Sequence, residues 1–108
     1  MTDRELLEAA AKAAGVNVWT DIDGNYYSEG FGVAERPWNP LTDDGDALRL
    51  AVKLKVATGY SGSNQYYAGP SDGDKGFMRE SGERNGVQDP YAAARRAIVR
   101  AAAAIGSL

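Results

Sequence analysis

The chain has 108 residues and a net charge of −3, and it contains neither cysteine nor histidine. Without these two residue types, the sequence excludes disulfides, Fe–S clusters, ordinary zinc sites and catalysis by Ser–His or Cys–His pairs. Its mild acidity also excludes a dedicated polybasic nucleic-acid binder. At this length we expect one hydrophobic core, and hence a single domain spanning residues 1–108.

The sequence also indicates where the protein works. No stretch approaches the roughly 18 consecutive apolar residues that a membrane-spanning helix needs. The first residues include the acids Asp3 and Glu5, whereas a signal peptide carries bases there. We therefore expect a cytoplasmic protein that makes no contact with a membrane.

The first elements along the chain are predicted to be a helix and a β-hairpin. Residues 3–14 form the helix, because Thr2 and Glu5 have capping-box spacing and Gly15 is a natural stop. The hairpin strands are predicted at 16–22 and 25–31. The turn signal between them is Asp-Gly, which tolerates the positive φ angles of a tight turn.

A second helix and a second hairpin are predicted next. The acidic run at 42–46 precedes the helix, with Thr42 or Asp43 as its cap and the other acids at the positive end of its dipole. Its predicted apolar stripe is Ala47, Leu48, Ala51 and Leu54. The second hairpin is predicted at 56–60 and 65–69, with its turn at 61–64.

The remaining segment is predicted to be a mobile loop followed by a third helix. Residues 70–88 are rich in glycine and charge and poor in apolar side chains, with 77–80 as an alternative short strand. Asp89 and Pro90 suit the cap and first position of a helix that runs to Ile105 and stops at Gly106. The predicted buried stripe of this helix is Tyr91, Ala94, Ile98, Ala101, Ala102 and Ile105.

Two tyrosine pairs, Tyr26-Tyr27 and Tyr66-Tyr67, suggest how the elements pack. Side chains alternate across a strand, so each pair places one ring on each face of its sheet, and both faces then need cover. The element order is α-β-β-α-β-β-α. We therefore predict an α+β protein built as a three-layer α/β/α sandwich, in which three helices cover a four-stranded, mainly antiparallel sheet.

Two stretches of the sequence, 38–54 and 89–103, resemble the phage ABA sandwich domain, a family of small phage and prophage proteins. The resemblance implies a phage or prophage origin, an α/β/α fold and a cytoplasmic location in the bacterial host. The family brings no catalytic residues. Lys55 stands where the second helix of the family usually ends at a glycine, and residues 71–86 match no part of the family pattern.

An acidic cluster is the first candidate site. Asp43, Asp44 and Asp46 could bind Mg²⁺ or Ca²⁺ and serve a metal-dependent enzyme, since hard cations prefer oxygen ligands. The favoured interpretation is that these acids cap the second helix and interact with its dipole. We therefore expect neither a metal nor another cofactor, and no enzymatic activity.

The other candidate sites are for binding. If one sheet face is open, aromatic side chains form a surface for a protein partner or a homodimer, although core packing is the competing interpretation. These aromatic residues are Trp19, Tyr26, Tyr27, Tyr66 and Tyr67. The alternative is a basic patch for nucleic-acid phosphates, which competes with a simple solvated helix face. Its residues are Arg49, Lys53, Lys55, Arg95, Arg96 and Arg100.

Overall fold

Three helices and eight strands make up the regular structure of the residues described in the computed structural model, which are 2–28, 36–70, 77–84 and 86–106. The helices are α1 (Asp3–Ala14), α2 (Asp44–Leu54) and α3 (Pro90–Gly106). The strands are β1 (Val18–Thr20), β2 (Tyr26–Ser28), β3 (Arg36–Pro37), β4 (Val56–Gly62), β5 (Gln65–Pro70), β6 (Met78–Ser81), β7 (Glu83–Arg84) and β8 (Val87–Gln88). The predicted α+β class is confirmed. No helix in these ranges is long and apolar enough to cross a membrane.

The helix ends follow the predicted caps. The Thr2 hydroxyl accepts a hydrogen bond from the Glu5 amide at 3.1 Å, and the Glu5 carboxylate accepts one from the Thr2 amide at 3.0 Å. At the start of α3, the Asp89 carboxylate accepts from the Ala92 amide at 3.0 Å. These short-range contacts satisfy amides that have no partner within their own helix, and α1 and α3 begin at the predicted residues.

The cap of α2 is Asp43, whose carboxylate accepts from the Asp46 amide at 2.7 Å. The predicted stripe is wrong at one position, because Leu48 is 62% exposed whereas Leu50 is completely buried. Lys55 ends the helix with a left-handed φ of 56°. A glycine would adopt this conformation more easily, so the lysine stands at a position that favours glycine.

Helix α3 lies at the centre of the fold, where it contacts α1, α2 and the strands β4, β5 and β6. Its predicted stripe is wrong at Tyr91, which is 70% exposed, whereas Ala97 and Val99 are completely buried. Neighbours on several sides bury a broader face than a single stripe predicts. Gly106 lies so close to the Ala9 carbonyl of α1 that a β-carbon there would overlap it.

The predicted single sheet is wrong. The described strands form three antiparallel sheets, which we call sheet A (β1-β2-β3), sheet B (β4-β5-β6) and sheet C (β7-β8). Each predicted hairpin has a third strand of its own, and the two hairpins do not pair with each other. The α/β/α layering is wrong as well, because the three helices contact one another directly instead of lying on opposite faces of one sheet.

The segment predicted as a mobile loop, residues 70–88, contains β6, β7 and β8 in its described part. Strand β6 agrees with the alternative short strand at 77–80. Residues 71–76 and 85 lie outside the described residues. The end of β5 at Pro70 and the start of α3 are therefore connected partly through paired strands.

Candidate protein-binding surface and a polar cleft

The Tyr26-Tyr27 pair places its rings on opposite faces of sheet A, as predicted. Tyr26 belongs to the core, and its hydroxyl donates a hydrogen bond to the Glu8 carboxylate of α1 at 2.8 Å. This hydroxyl is the main reason that the pKa of Glu8 lies below its ordinary value. Burial, followed by the same hydrogen bond, raises the pKa of Tyr26. The inner tyrosine thus fastens the sheet to α1.

The outer face of sheet A carries one apolar side chain from each strand. Tyr27 of β2 pairs in register with Trp19 of β1 on one side and with Pro37 of β3 on the other. We call these three residues the aromatic row. Trp19 is 37% exposed, Pro37 is exposed and Tyr27 is half-buried. The row therefore crosses the whole sheet on its solvent side.

The turn between β1 and β2 holds the aromatic row in place. The Tyr27 hydroxyl donates to the Asp21 carboxylate at 3.2 Å, and the same carboxylate accepts from the amides of Asp23 and Asn25 at 2.9 and 3.0 Å. The pKa of Asp21 is lowered, chiefly by the Asn25 amide. Ile22 at the tip of this turn is 99% exposed. The turn thus carries an exposed apolar side chain next to Asp21, the residue that binds Tyr27.

Sheet B engages its aromatic side chains differently. Tyr67 lies across Gly59, where its hydroxyl oxygen would be 2.8 Å from an added β-carbon, and Phe77 lies across Gly69. The Tyr67 and Phe77 rings meet edge to face, with centroids 5.4 Å apart. On the other face, Tyr66 packs on Tyr60 with centroids 5.1 Å apart. The five predicted aromatic residues therefore do not form one surface.

A cleft of about 680 Å³ lies between sheet A, α1 and the segment that leads into α2. Asp46 lines it and is only 2% exposed. Its carboxylate accepts hydrogen bonds from Arg36, from Arg49 at 2.7 Å and from the Asn39 amide at 2.9 Å. Sequence reasoning missed this role, because Arg36 comes from a separate strand and no short-range pattern links it to Asp46.

The three acids considered as metal ligands each have partners within the protein, and Asp43 and Asp46 share Arg49. Asp43 caps α2, Asp44 pairs with Arg95 at 2.6 Å, and Asp46 binds the arginines in the cleft. Within the described ranges, no group of three or more acidic side chains is placed to hold a metal ion. The contacts agree with a structural role for all three acids.

The six predicted nucleic-acid-binding residues divide into paired arginines and exposed lysines. Arg95 also donates to the Leu41 carbonyl at 2.8 Å. Arg96 pairs with Asp3 at 2.9 Å, and Arg100 pairs with Glu80. With Arg49 on Asp46, all four arginines contact a carboxylate. Lys53 and Lys55 are exposed. The arginines thus join the helices to their neighbours, and their charge is largely compensated.

Comparisons with known proteins find no relative of this chain. No family model matches the chain, and neither a curated protein nor a solved structure does. The assignment of a function therefore depends on the surfaces described above.

Proposed function

We propose that this protein acts by binding a protein partner, without catalysis, and that the aromatic row is its binding surface. The observation that carries the proposal is the register of sheet A, which aligns Trp19, Tyr27 and Pro37 across the solvent side. Tryptophan and tyrosine are enriched in protein interfaces, because they bury a large apolar area and retain a polar group.

The hydrogen bonds that position Tyr27 support this role. Asp21 holds both the Tyr27 hydroxyl and the turn amides, and Trp38, which is 1% exposed, continues β3 into the core. A surface ordered before it binds loses less conformational entropy on association. The partner segment that fits best is apolar and flat, since the row presents rings and a proline instead of a charged groove.

The charges of the molecule favour binding over chemistry. In the cleft, the carboxylates of Asp43 and Asp46 compensate the guanidinium groups of Arg36 and Arg49. The alternative of nucleic-acid binding has less support, because the four arginines of the predicted patch contact carboxylates. A phage or prophage accessory protein in the bacterial cytoplasm stays our proposal for its origin and location, on the sequence resemblance.

The experiment compares capture of partners from bacterial lysate by the wild type, Trp19→Ser and Tyr91→Ser. Tyr91 is a matched control, since it is an exposed aromatic residue on α3 at 70% exposure. We expect Trp19→Ser to weaken capture of at least one protein about 30-fold, as for an interface hot spot, and Tyr91→Ser to leave it unchanged.

Two results would contradict the proposal. One is equal capture by the wild type and both variants, which would place binding elsewhere. The other is capture of nucleic acid alone, lost steeply as salt rises, which would favour the basic residues. Acrylamide quenching checks the surface directly, because we expect Trp19 to be quenched and the buried Trp38 to be protected.

A further inference from the structure

The four edge strands of sheets A and B differ in how they are protected from pairing with another chain. Strand β1 has only three residues, and β3 has two, one of which is a proline. Strand β6 has four residues, and two of them are the charged Arg79 and Glu80. Strand β4 has seven residues without charge or proline. Short length, charge, proline and β-bulges protect an edge, and β4 has only an irregularity near its end, between Tyr60 and Gly62.

The outer edge of β4 is open. One edge of the strand pairs with β5 from Val56 to Gly62, and no backbone hydrogen bond joins its other edge to the residues that the structure describes. Thr58, Tyr60 and Ser61 are exposed, whereas Val56 is buried near the end of α2. The middle of the strand therefore offers amide and carbonyl groups to a new strand.

We propose that β4 pairs antiparallel with β4 of a second copy of this chain, centred on Gly59, so that two copies of sheet B form one six-stranded sheet. This centre places Thr58 opposite Tyr60 of the partner subunit, a pair of a β-branched and an aromatic residue that stabilises sheets. The irregularity in the pairing with β5 lies between Tyr60 and Gly62, beyond the central residues 58–60.

The charge pattern favours a second copy as the occupant. Because β4 is uncharged, self-pairing brings no like charges together within the strand. The nearest charge is Lys55, and the two copies of Lys55 lie at opposite ends of the paired strands, eight residue steps apart. At about 3.4 Å per residue this is roughly 27 Å, well beyond the Debye length of about 8 Å at physiological salt.

The face of sheet B that carries Tyr67 also favours Gly59 as the centre of the pairing. Tyr67 extends from β5 across Gly59, so its hydroxyl lies above the residue on the twofold axis. Directly opposed residues of an antiparallel pair have Cα atoms only about 5 Å apart, so the two Tyr67 rings approach each other across the axis. The missing side chain at Gly59 thus leaves room for one ring from each copy.

The test measures mass by sedimentation velocity over a range of protein concentrations. We expect the wild type to reach twice the 11.5 kDa of one chain. The double variants T58K/Y60K and T58E/Y60E place like charges directly opposite each other, and we expect each to weaken the dimer at least tenfold. An equal mixture of the two variants brings opposite charges together, and we expect it to restore the dimer.

The control is V87K/Y91K, which adds the same charge at two exposed positions, 63% and 70% exposed, away from β4. It should dimerise like the wild type. A second measurement needs no variant: amide hydrogen exchange of residues 57–61 should slow as the wild-type concentration rises. This readout decides the question even if the charged variants fail to fold.

Three results would overturn the proposal: a wild type that stays monomeric with concentration-independent exchange in β4, a dimer that both charged variants retain, or a mixture that stays monomeric. Strand addition by another protein would appear as a monomer whose β4 amides are protected only in lysate, which also counts against it. The β4 edge and the aromatic row lie on different sheets, so loss of dimerisation and loss of partner capture are separable.

Discussion

Sheets A and B are attached to the helices in different ways. Sheet B packs closely on α3, with Ala68 of β5 completely buried in the shared core. Sheet A depends more on single polar contacts, from Tyr26 to Glu8 of α1 and from Arg36 to Asp46 of α2. The attachment of sheet B is therefore distributed over many apolar contacts, whereas the attachment of sheet A depends on a few polar side chains.

Their outer faces differ for a simple reason. Both sheets present the second tyrosine of a Tyr-Tyr pair on the outside. Tyr67 has Gly59 opposite it, and its ring lies over the space that the glycine leaves. Tyr27 instead lies between Trp19 and Pro37, whose side chains occupy the neighbouring positions. The cross-strand neighbours, more than the tyrosine itself, decide what each outer ring packs against.

The largest expected effect breaks the attachment of sheet A. Asp46→Asn removes the charge that compensates Arg36 and Arg49 at a nearly buried position. We expect the free energy of unfolding to fall by about 2–4 kcal/mol, because both arginines lose a buried charged partner. The loss is smaller than for a fully buried ion pair, because the two arginine side chains are partly exposed. Urea unfolding followed by tryptophan fluorescence measures this loss.

The matched control for this change is Asp44→Asn in the same turn of α2. Asp44 pairs with Arg95, but its side chain is 72% exposed. An exposed ion pair contributes at most about 1 kcal/mol, so we expect a small loss. Equal losses for the two variants would show that burial of Asp46 does not strengthen the attachment of sheet A.

A smaller effect concerns the face of sheet B on which Tyr67 and Phe77 pack over glycines. Gly69→Ala places a β-carbon where the Phe77 ring lies, and we expect a cost of about 1–2 kcal/mol from overpacking. In the Phe77→Ala background the same change should cost about 1 kcal/mol less, because the ring is gone. A double-mutant cycle by urea unfolding measures the coupling. Additive losses of stability in the two variants would mean that Gly69 is not needed to make room for the Phe77 ring.

The smallest effect is a pH dependence in the attachment of sheet A. The folded-state pKa of Glu8 lies below its ordinary value of 4.5, first because Tyr26 donates to it and then because of Arg4. A lowered pKa stabilises the fold above the unfolded-state pKa, and this stabilisation is lost as the pH falls through the folded-state pKa. Tyr26→Phe should therefore destabilise the protein more at pH 7 than in strong acid.

An NMR titration of the Glu8 carboxylate tests the cause directly. We expect its pKa to rise toward 4.5 in Tyr26→Phe. Tyr27→Phe is the matched control, because the Tyr27 hydroxyl lies on the other face and binds Asp21 instead of Glu8. It should change the pKa of Asp21 only slightly, since that pKa is lowered mainly by the Asn25 amide and least by Tyr27. An unchanged pKa of Glu8 in Tyr26→Phe would refute the proposed attachment to α1.

Short-range signals in the sequence predict the helix ends well. Thr2, Asp43 and Asp89 cap their helices because the contacts of a cap span only three residues. Burial is harder to predict. Both Leu48 and Leu50 are apolar and fit a helical stripe, and only the position of neighbouring elements decides that Leu50 is the buried one.

The sheets and the candidate sites depend on long-range contacts that the sequence does not display. Alternation predicts that Tyr26 and Tyr27 face opposite ways, but not that the aromatic row is completed by Pro37 from a two-residue strand. That strand is too short to recognise by pattern, and β6 follows a glycine-rich stretch. These third strands complete the two sheets, and one of them carries the Arg36 that pairs with the buried Asp46.

The contact between Gly106 and the Ala9 carbonyl has a consequence for how the chain folds during synthesis. It joins helices separated by most of the chain, so the apolar side of α1 gains its main neighbour only when α3 has been made. At about 5–20 residues per second, the ribosome needs roughly 5–20 seconds to add the intervening residues. During that interval the apolar face of α1 in the growing polypeptide is not covered by α3. A chaperone that binds this face would raise the yield of native protein.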